Sequence, residues 1–336
     1  LSERIAVIGA GAWGTTLAAM TARGGHDVTL WAHSPEAGAA LAEARENARY
    51  LPGVALPASL RIATDDGALA EECRLYIVAV PSAHLRSTLQ RLAGTLAPGA
   101  AVLSAVKGIE EHTHLRMSEV IAQELPGGSV AVLSGPNLAR EIAAGKPAGA
   151  VIASRNGRLA ADLAAMLGSE RFRLYTNADV TGVELAGALK NVVALAAGMV
   201  DGLQLGDSAK AGIITRGLAE ITRLGVAAGA NPLTFSGLAG VGDLIGTCMS
   251  HLSRNRLAGE LFASGLSWPE VQPRLPGVAE GVFTVRGSLE LADRLGVEMP
   301  IAEQVDAVIH GVTTPLDAVG ELMGRSLKDE LAGLSA

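Results

Sequence analysis

Two lysines stand where their neighbours are otherwise small and apolar. Lys190 lies in VTGVELAGALKNVVALAAGMVDG and Lys107 in AAVLSAVKGIE. On a helix, Leu185, Leu189, Val192, Val193 and Ala196 line one face, and Lys190 sits beside it between Ala186 and Ala194, with Gly187 one turn back. Side chains that small leave volume around an ammonium group for something else to fill. The alternative for Lys190 is a side chain that snorkels to water; Lys107, at the C-terminal end of a candidate strand where α/β sheets place ligands, is otherwise a solvated loop lysine. Beside a reacting oxygen, an ammonium group stabilises the negative charge that develops there and can supply a proton. A free lysine, with a pKa of about 10.4, shuttles protons poorly near neutrality, but burial and a second cation would bring it toward about 7–8. A carboxylate such as Asp243 would act the other way.

A second cluster lies in GLAGVGDLIGTCMSHLSRNRLAGELFASG. Asp243 and Thr247, four residues apart, share a face if that stretch is helical. Ser253 suits the N-cap of a helix beginning at Arg254, which puts Arg254 and Asn255 in the first turn. Free backbone N–H groups, the helix dipole, a guanidinium and an amide would there converge on an anion. The plainer reading is a capped helix with an arginine on its rim.

The third group is IAVIGAGAWGTTLA, in which Gly9, Gly11 and Gly14 form GxGxxG between an apolar run and a helical segment. In that setting Gly9 makes the tight turn, Gly11 lets backbone approach a pyrophosphate, and Gly14 lets the helix pack on the strand. The fingerprint wants a carboxylate about 20 residues on, at the end of the second strand, for the ribose hydroxyls of NAD. Here that strand ends TLWAHSP, and Ala32 and His33 occupy the position. The cofactor expectation is therefore NADP or NAD, with His33 either stacking on adenine, meeting a 2′-phosphate, or simply sitting at the surface.

These residues need a scaffold, and the chain offers two. Candidate strands at Arg4 to Ile8, Asp27 to Trp31, Leu75 to Val80, Ala101 to Ser104, Val130 to Leu133, Gly149 to Ala153 and Phe172 to Tyr175 alternate with helical stretches such as Trp13 to Arg23, Pro35 to Ala48 and Asn137 to Ala144. Apolar strands spaced by helices predict an α/β fold, a Rossmann-type doubly wound, mostly parallel sheet covered on both faces. From about Asp179 long Ala/Leu/Gly segments take over. The expected division is a dinucleotide-binding domain over 1–178 and an all-helical substrate and catalytic domain over 179–336.

Composition narrows the function. A chain of 336 residues suggests two domains. Lys plus Arg number 27 against 34 for Asp plus Glu, a formal charge of -7, and no basic block appears, so no nucleic-acid partner is expected. Cys73 and Cys248 form no CxxC, and His112 and His114 lack the spacing of a helical metal pair, so neither a disulfide framework nor a metal is expected. Charges in LSERIAVIG and the absence of an uninterrupted apolar run of ~20 residues predict a cytoplasmic protein without a membrane span.

Taken together, GAGAWGTTLA, SAVKGIE, SGPNLAREIAAGKP, GALKNVVALAAGMVDGL, ITRGLAEITRLG, GLAGVGDLIGTC, SRNR and the late GVAEG resemble the bacterial-type NAD(P)-dependent sn-glycerol-3-phosphate dehydrogenases over essentially the whole chain. The resemblance implies reversible reduction of dihydroxyacetone phosphate to sn-glycerol 3-phosphate, a phospholipid precursor, by a cytoplasmic homodimer. By motif position it makes Lys190 the proton donor or acceptor, with Lys107, Asn191, Asp243 and Thr247 orienting the carbonyl and the lysine. Arg254 and Asn255 would receive the phosphate, Ser253, Arg254, Val278 and Glu280 would lie at the cofactor or substrate edge, and Lys107 would also meet the cofactor. Gly135, Asn137 and Ala139 would line the boundary between cofactor and substrate, with Ala12 and Trp13 on the pyrophosphate loop. Ala12, Asn137 and Ser208 depart from the family's usual residues, which affects cofactor contact and local packing but removes no proposed catalytic group.

Two other readings use the same residues. A dehydrogenase of the same two-domain plan acting on a 3-hydroxy acid would also use Arg254. A nucleotide-binding redox sensor without turnover would not need Lys190, Asp243 and Arg254 together.

Overall fold

The computed structural model describes residues 3–69, 73–326 and 329–330. The chain divides into two compact units, Leu1–Val106 with Met117–Val180, and Lys107–Arg116 with Thr181–Ala336.

In the first unit, buried apolar runs become strands, and the segments between them become helices. In chain order these are β1 (Arg4–Ile8), α1 (Ala12–Arg23), β2 (Asp27–Trp31), α2 (Pro35–Ala44), β3 (Arg61–Ala63), β4 (Leu75–Val78), α3 (Leu85–Leu92), β5 (Ala101–Ser104), α4 (Met117–Glu124), β6 (Val130–Ser134), α5 (Ala139–Ala143), β7 (Ala148–Ala153), α6 (Gly157–Leu167) and β8 (Phe172–Asn177). The eight strands form one sheet in the order β3-β2-β1-β4-β5-β6-β7-β8. Strand order runs outward from β1 in both directions, as in doubly wound dinucleotide-binding sheets. Its β1 and β4 centre is buried apolar side chain throughout, among them Ile5, Val7, Leu75 and Ile77.

One junction departs from the parallel expectation. β6 and β7 pair antiparallel, Val132 opposite Ala153 and Ser134 opposite Val151. The chain reverses at Gly135, whose φ of 140° is open to glycine, and a β-carbon there would fall 2.9 Å from the Ala150 Cα. The short edge strand β3, only three residues long, is an addition to the strands expected from sequence.

The second unit is helical: α7 (Val180–Gly202), α8 (Asp207–Ala227), α9 (Asp243–Met249), α10 (Arg254–Ala263), α11 (Trp268–Val271), α12 (Glu280–Leu295), α13 (Pro300–Ile309) and α14 (Pro315–Met323). A π-helical turn over Leu238–Gly242 leads into α9. Sequence periodicity gives α7 one apolar face, but every residue from Gly182 to Val200 is buried. By length and composition alone α7 passes for a membrane span, but its whole apolar window is buried inside the unit, as in a core helix. Helix α10 crosses it at van der Waals contact of backbones, since a β-carbon on Gly198 would fall 2.0 Å from the Arg256 carbonyl oxygen and one on Gly259 2.1 Å from that of Leu195.

The segment from Lys107 to Arg116 leaves the sheet after β5 and packs into this helical unit. Ile109 joins the helical core. Arg116, half-buried, pairs with the buried Glu184 of α7 at 2.7 Å, and His114 lies 3.3 Å from Glu290 of α12. Lys107 thus belongs to the second unit, although its sequence position follows a strand of the first.

Candidate active site

The glycine turn of the first unit has the shape its spacing predicts. Gly9 takes φ 114°, and a β-carbon there would meet the Ala79 carbonyl oxygen at 2.7 Å. One at Gly14 would fall 1.9 Å from the Gly9 carbonyl oxygen, so the first turn of α1 can pack on the glycine turn only with glycine here. A β-carbon at Gly11, by contrast, would meet no atom of the described residues within 4 Å beyond its own chain neighbours and helix backbone. The space that a pyrophosphate needs next to the second glycine is open, and α1 begins there without a side-chain cap or an acidic residue in its first turn. The residues present fit a dinucleotide.

Around this turn the structure gathers most of the residues expected there. Ala12 and Trp13 open α1. Trp13 packs edge-on against Phe172 with ring centroids 6.2 Å apart, and its indole N–H is buried without a partner among the described residues. Ala139 opens α5 and its carbonyl accepts from the Thr16 hydroxyl of α1 at 3.3 Å. Asn137, in the turn after Gly135, has both amide atoms buried and without a partner among the described residues. The Gly9 N–H donates to the Trp31 carbonyl at 3.1 Å, which ties the turn to the end of β2, and His33 is exposed just beyond. Sequence reasoning missed Asn47, whose buried amide donates to the Ala10 carbonyl at 2.9 Å and the Thr15 hydroxyl at 2.7 Å. Nothing in ENARYLPG marks that asparagine as the brace of a loop 37 residues away.

The second unit brings both lysines to one carboxylate. Lys190 Nζ donates to Thr247 Oγ1 at 2.6 Å and lies 3.0 Å from Asp243 Oδ1. Lys107 Nζ lies 2.5 Å from Asp243 Oδ2. Asp243 and Thr247 do share a face of α9, and the threonine hydroxyl donates to Asp243 Oδ1 at 3.2 Å. Burial lowers the Lys190 pKa to about 8, Asp243 opposing and Lys107 assisting. Two lysines on one carboxylate gather positive groups in a mostly buried place, an arrangement that suits an electron-rich oxygen. Cys248 is buried behind them, and burial pushes its thiol up to about 12, so it packs as an apolar group.

Ser253 caps α10, its hydroxyl accepting from the Arg256 N–H at 3.2 Å. Arg254 keeps exposed surface, yet the protein around it is dense enough that desolvation lowers its pKa, with Glu280 opposing. Its guanidinium rests on Gly277, where a β-carbon would fall 2.8 Å from an Nη atom, and the half-buried Val278 follows. The Asn255 amide does not converge with the guanidinium as a pair of free donors. Its Nδ2 donates to Asn191 Oδ1 at 2.9 Å, and its Oδ1 accepts from the Gly281 N–H at 3.0 Å. That buried chain links the residues immediately after Lys190, Arg254 and Glu280. Ser208 is exposed in the first turn of α8.

A phosphate-binding turn on a doubly wound sheet, with a buried lysine of lowered pKa in a helical unit, defines a two-domain nicotinamide-dependent dehydrogenase. Models of the N-terminal and C-terminal parts of NAD-dependent glycerol-3-phosphate dehydrogenase match residues 4–160 and 179–320. A glycerol-3-phosphate dehydrogenase [NAD(P)+] of Streptomyces coelicolor is 48% identical over 97% of this chain and 98% of its own length, and one of Geobacter sulfurreducens is 46% identical over 98% and 99%. The crystal structure of the Coxiella burnetii glycerol-3-phosphate dehydrogenase superposes with a TM-score of 0.93 at 37% identity, covering 96% of this chain and 99% of that one. The chain belongs to the NAD(P)-dependent glycerol-3-phosphate dehydrogenase family.

Proposed function

We propose that the protein interconverts dihydroxyacetone phosphate and sn-glycerol 3-phosphate with NAD or NADP, with Lys190 as the proton donor in reduction and acceptor in oxidation. The observation that carries this reading is the pairing of Lys190 and Lys107 on Asp243. Gly9, Gly11, Ala12, Trp13 and Gly14 would hold the cofactor, with His33, Ala139, Val278 and Glu280 at its edges. When bound, the nicotinamide supplies or takes up hydride.

The chain's own residues supply the rest. As charge builds on the substrate oxygen, the Lys190 ammonium stabilises it and passes over one proton. The amine left behind keeps its partner in the Thr247 hydroxyl. Asp243 aims both lysines, and Lys107 adds a second positive group. Arg254, at the start of α10, pairs with the phosphate through a charge-assisted contact. Ser253 and the Asn191–Asn255 pair fix the turn that carries it, with Gly135 and Asn137 on the substrate side of the cofactor. The substrate is a small phosphorylated ketone, whose product supplies phospholipid synthesis. Like the family it resembles, the protein works as a cytoplasmic homodimer, and its free cysteines Cys73 and Cys248 agree with a reducing compartment.

The test is oxidation of each reduced cofactor by dihydroxyacetone phosphate. The wild type should turn over, and Lys190→Ala should bind cofactor normally while losing at least about 100-fold in kcat. Wild-type turnover by that variant would remove Lys190 as the acid.

A further inference from the structure

We propose that Arg91, clasped by Asp66, meets the 2′-phosphate of NADP and sets the preference for NADP over NAD. The proposal rests on the dinucleotide reading of the glycine turn and deepens it. In this fold the end of the second strand faces the ribose 2′ position, where a carboxylate favours NAD and a nearby arginine favours NADP. β2 ends at Trp31, followed by Ala32 and His33, so the strand itself supplies neither group.

The structure brings an arginine there from elsewhere. Arg91, near the end of α3, donates through Nη1 to the His33 carbonyl at 2.9 Å, and its guanidinium carbon lies 5.2 Å from the centre of the Trp31 ring. Its Nε and Nη2 donate to the two oxygens of Asp66 at 2.7 and 2.8 Å. The Trp31 indole N–H donates to the same carboxylate at 3.0 Å. Three consequences follow from this geometry.

The guanidinium plane is fixed on three sides, so little entropy remains to be lost when it takes a ligand. Three of its five N–H donors are used, and one on each Nη remains for an anion. The side chain is 45% exposed, so those donors are reachable. Asp66, for its part, is turned onto an arginine and an indole, and a carboxylate so engaged is a poor partner for ribose hydroxyls. Asp65, beside it, accepts the Ala68 N–H at 3.0 Å, and the carboxylate nearest His33 in sequence, Glu36, is exposed in the first turn of α2, where backbone N–H groups and Ser34 hold its pKa down. Its charge there is screened by solvent.

Adenosine 2′,5′-bisphosphate and 5′-AMP differ only in the 2′-phosphate, and their binding by calorimetry isolates this contact from catalysis. The wild type should prefer the bisphosphate, and Arg91→Gln should lose about tenfold or more of that preference while 5′-AMP affinity stays unchanged. Asp66→Asn, which keeps the clasp's acceptor but removes its charge, should raise the preference a few-fold, and it carries the test alone if Arg91→Gln does not fold. Equal wild-type affinity for the two ligands, or a ratio untouched in these variants, would overturn the proposal and leave the cofactor site standing. A wild type that binds neither ligand would overturn the dinucleotide reading as well.

Discussion

Asp243 holds two lysines at once, and the acidity of Lys190 depends on it. Reduction needs Lys190 protonated, so activity in that direction is present below its pKa of about 8 and is lost as pH rises through it. Oxidation needs the free amine and rises over the same range. Asp243 raises that pKa, so Asp243→Asn should shift the alkaline limb of ketone reduction to lower pH, measured as kcat against pH. A limb that stays in place would mean that Lys190 does not govern it. The two lysines, Asp243 and Thr247 are legible in the sequence because each is a polar residue among alanines, glycines and leucines. Asn255 is legible as a member of the site but not in its bonding, since its partners Asn191 and Gly281 lie 64 and 26 residues away. Arg91 leaves no signal near His33, 58 residues earlier, because only the folded sheet brings them together.

Among the elements, α7 shows why periodicity misjudges a helix buried on all sides. Glu184, Lys190 and Asn191 look in sequence like the start of a wet stripe, yet each is buried against a polar partner: Arg116, Asp243 and Asn255. Pairing of that kind depends on other helices and cannot be read from a single one. Helix α13 depends on a similar contact. Buried Glu220 of α8 accepts the N–H groups of Ile301 and Ala302 at 2.8 and 3.4 Å, and burial raises its pKa to about 7 against those bonds and Arg223, with Glu303 adding to the rise. The native state then binds this proton more tightly than the unfolded chain does. Its contribution is fully present below the ordinary carboxylate range and fades as pH rises toward 7, a change of about 3 kcal/mol. Glu220→Gln keeps an acceptor without the charge. Relative to the wild type its thermal midpoint should therefore gain between pH 5 and pH 8, and a difference that does not change with pH would refute the assignment.

At the scale of the whole molecule, sequence periodicity predicts one change of character near Asp179, whereas the chain passes from the sheet unit to the helical one, back, and across again. The ten residues from Lys107 to Arg116 carry no helical or strand pattern that would betray the detour. Part of their hold is the Arg116–Glu184 ion pair, so Arg116→Ala should lower the unfolding free energy by about 1.5–3 kcal/mol, the range for a hydrogen bond to a charged group. Replacing both residues with methionine should recover most of that loss, and a double variant no better than the single one would show that the pair is not what anchors the segment. The detour also bears on hybrid enzymes assembled from two relatives. A splice at the start of α7 delivers the lysine-bearing strap with the donor's nucleotide half, while the aspartate and glutamate that grip it come from the recipient. Such a hybrid changes the partner of its own Asp243 even though the join lies more than sixty residues downstream of Lys107, so a clean exchange of cofactor preference has to carry the recipient's ten-residue strap along with it.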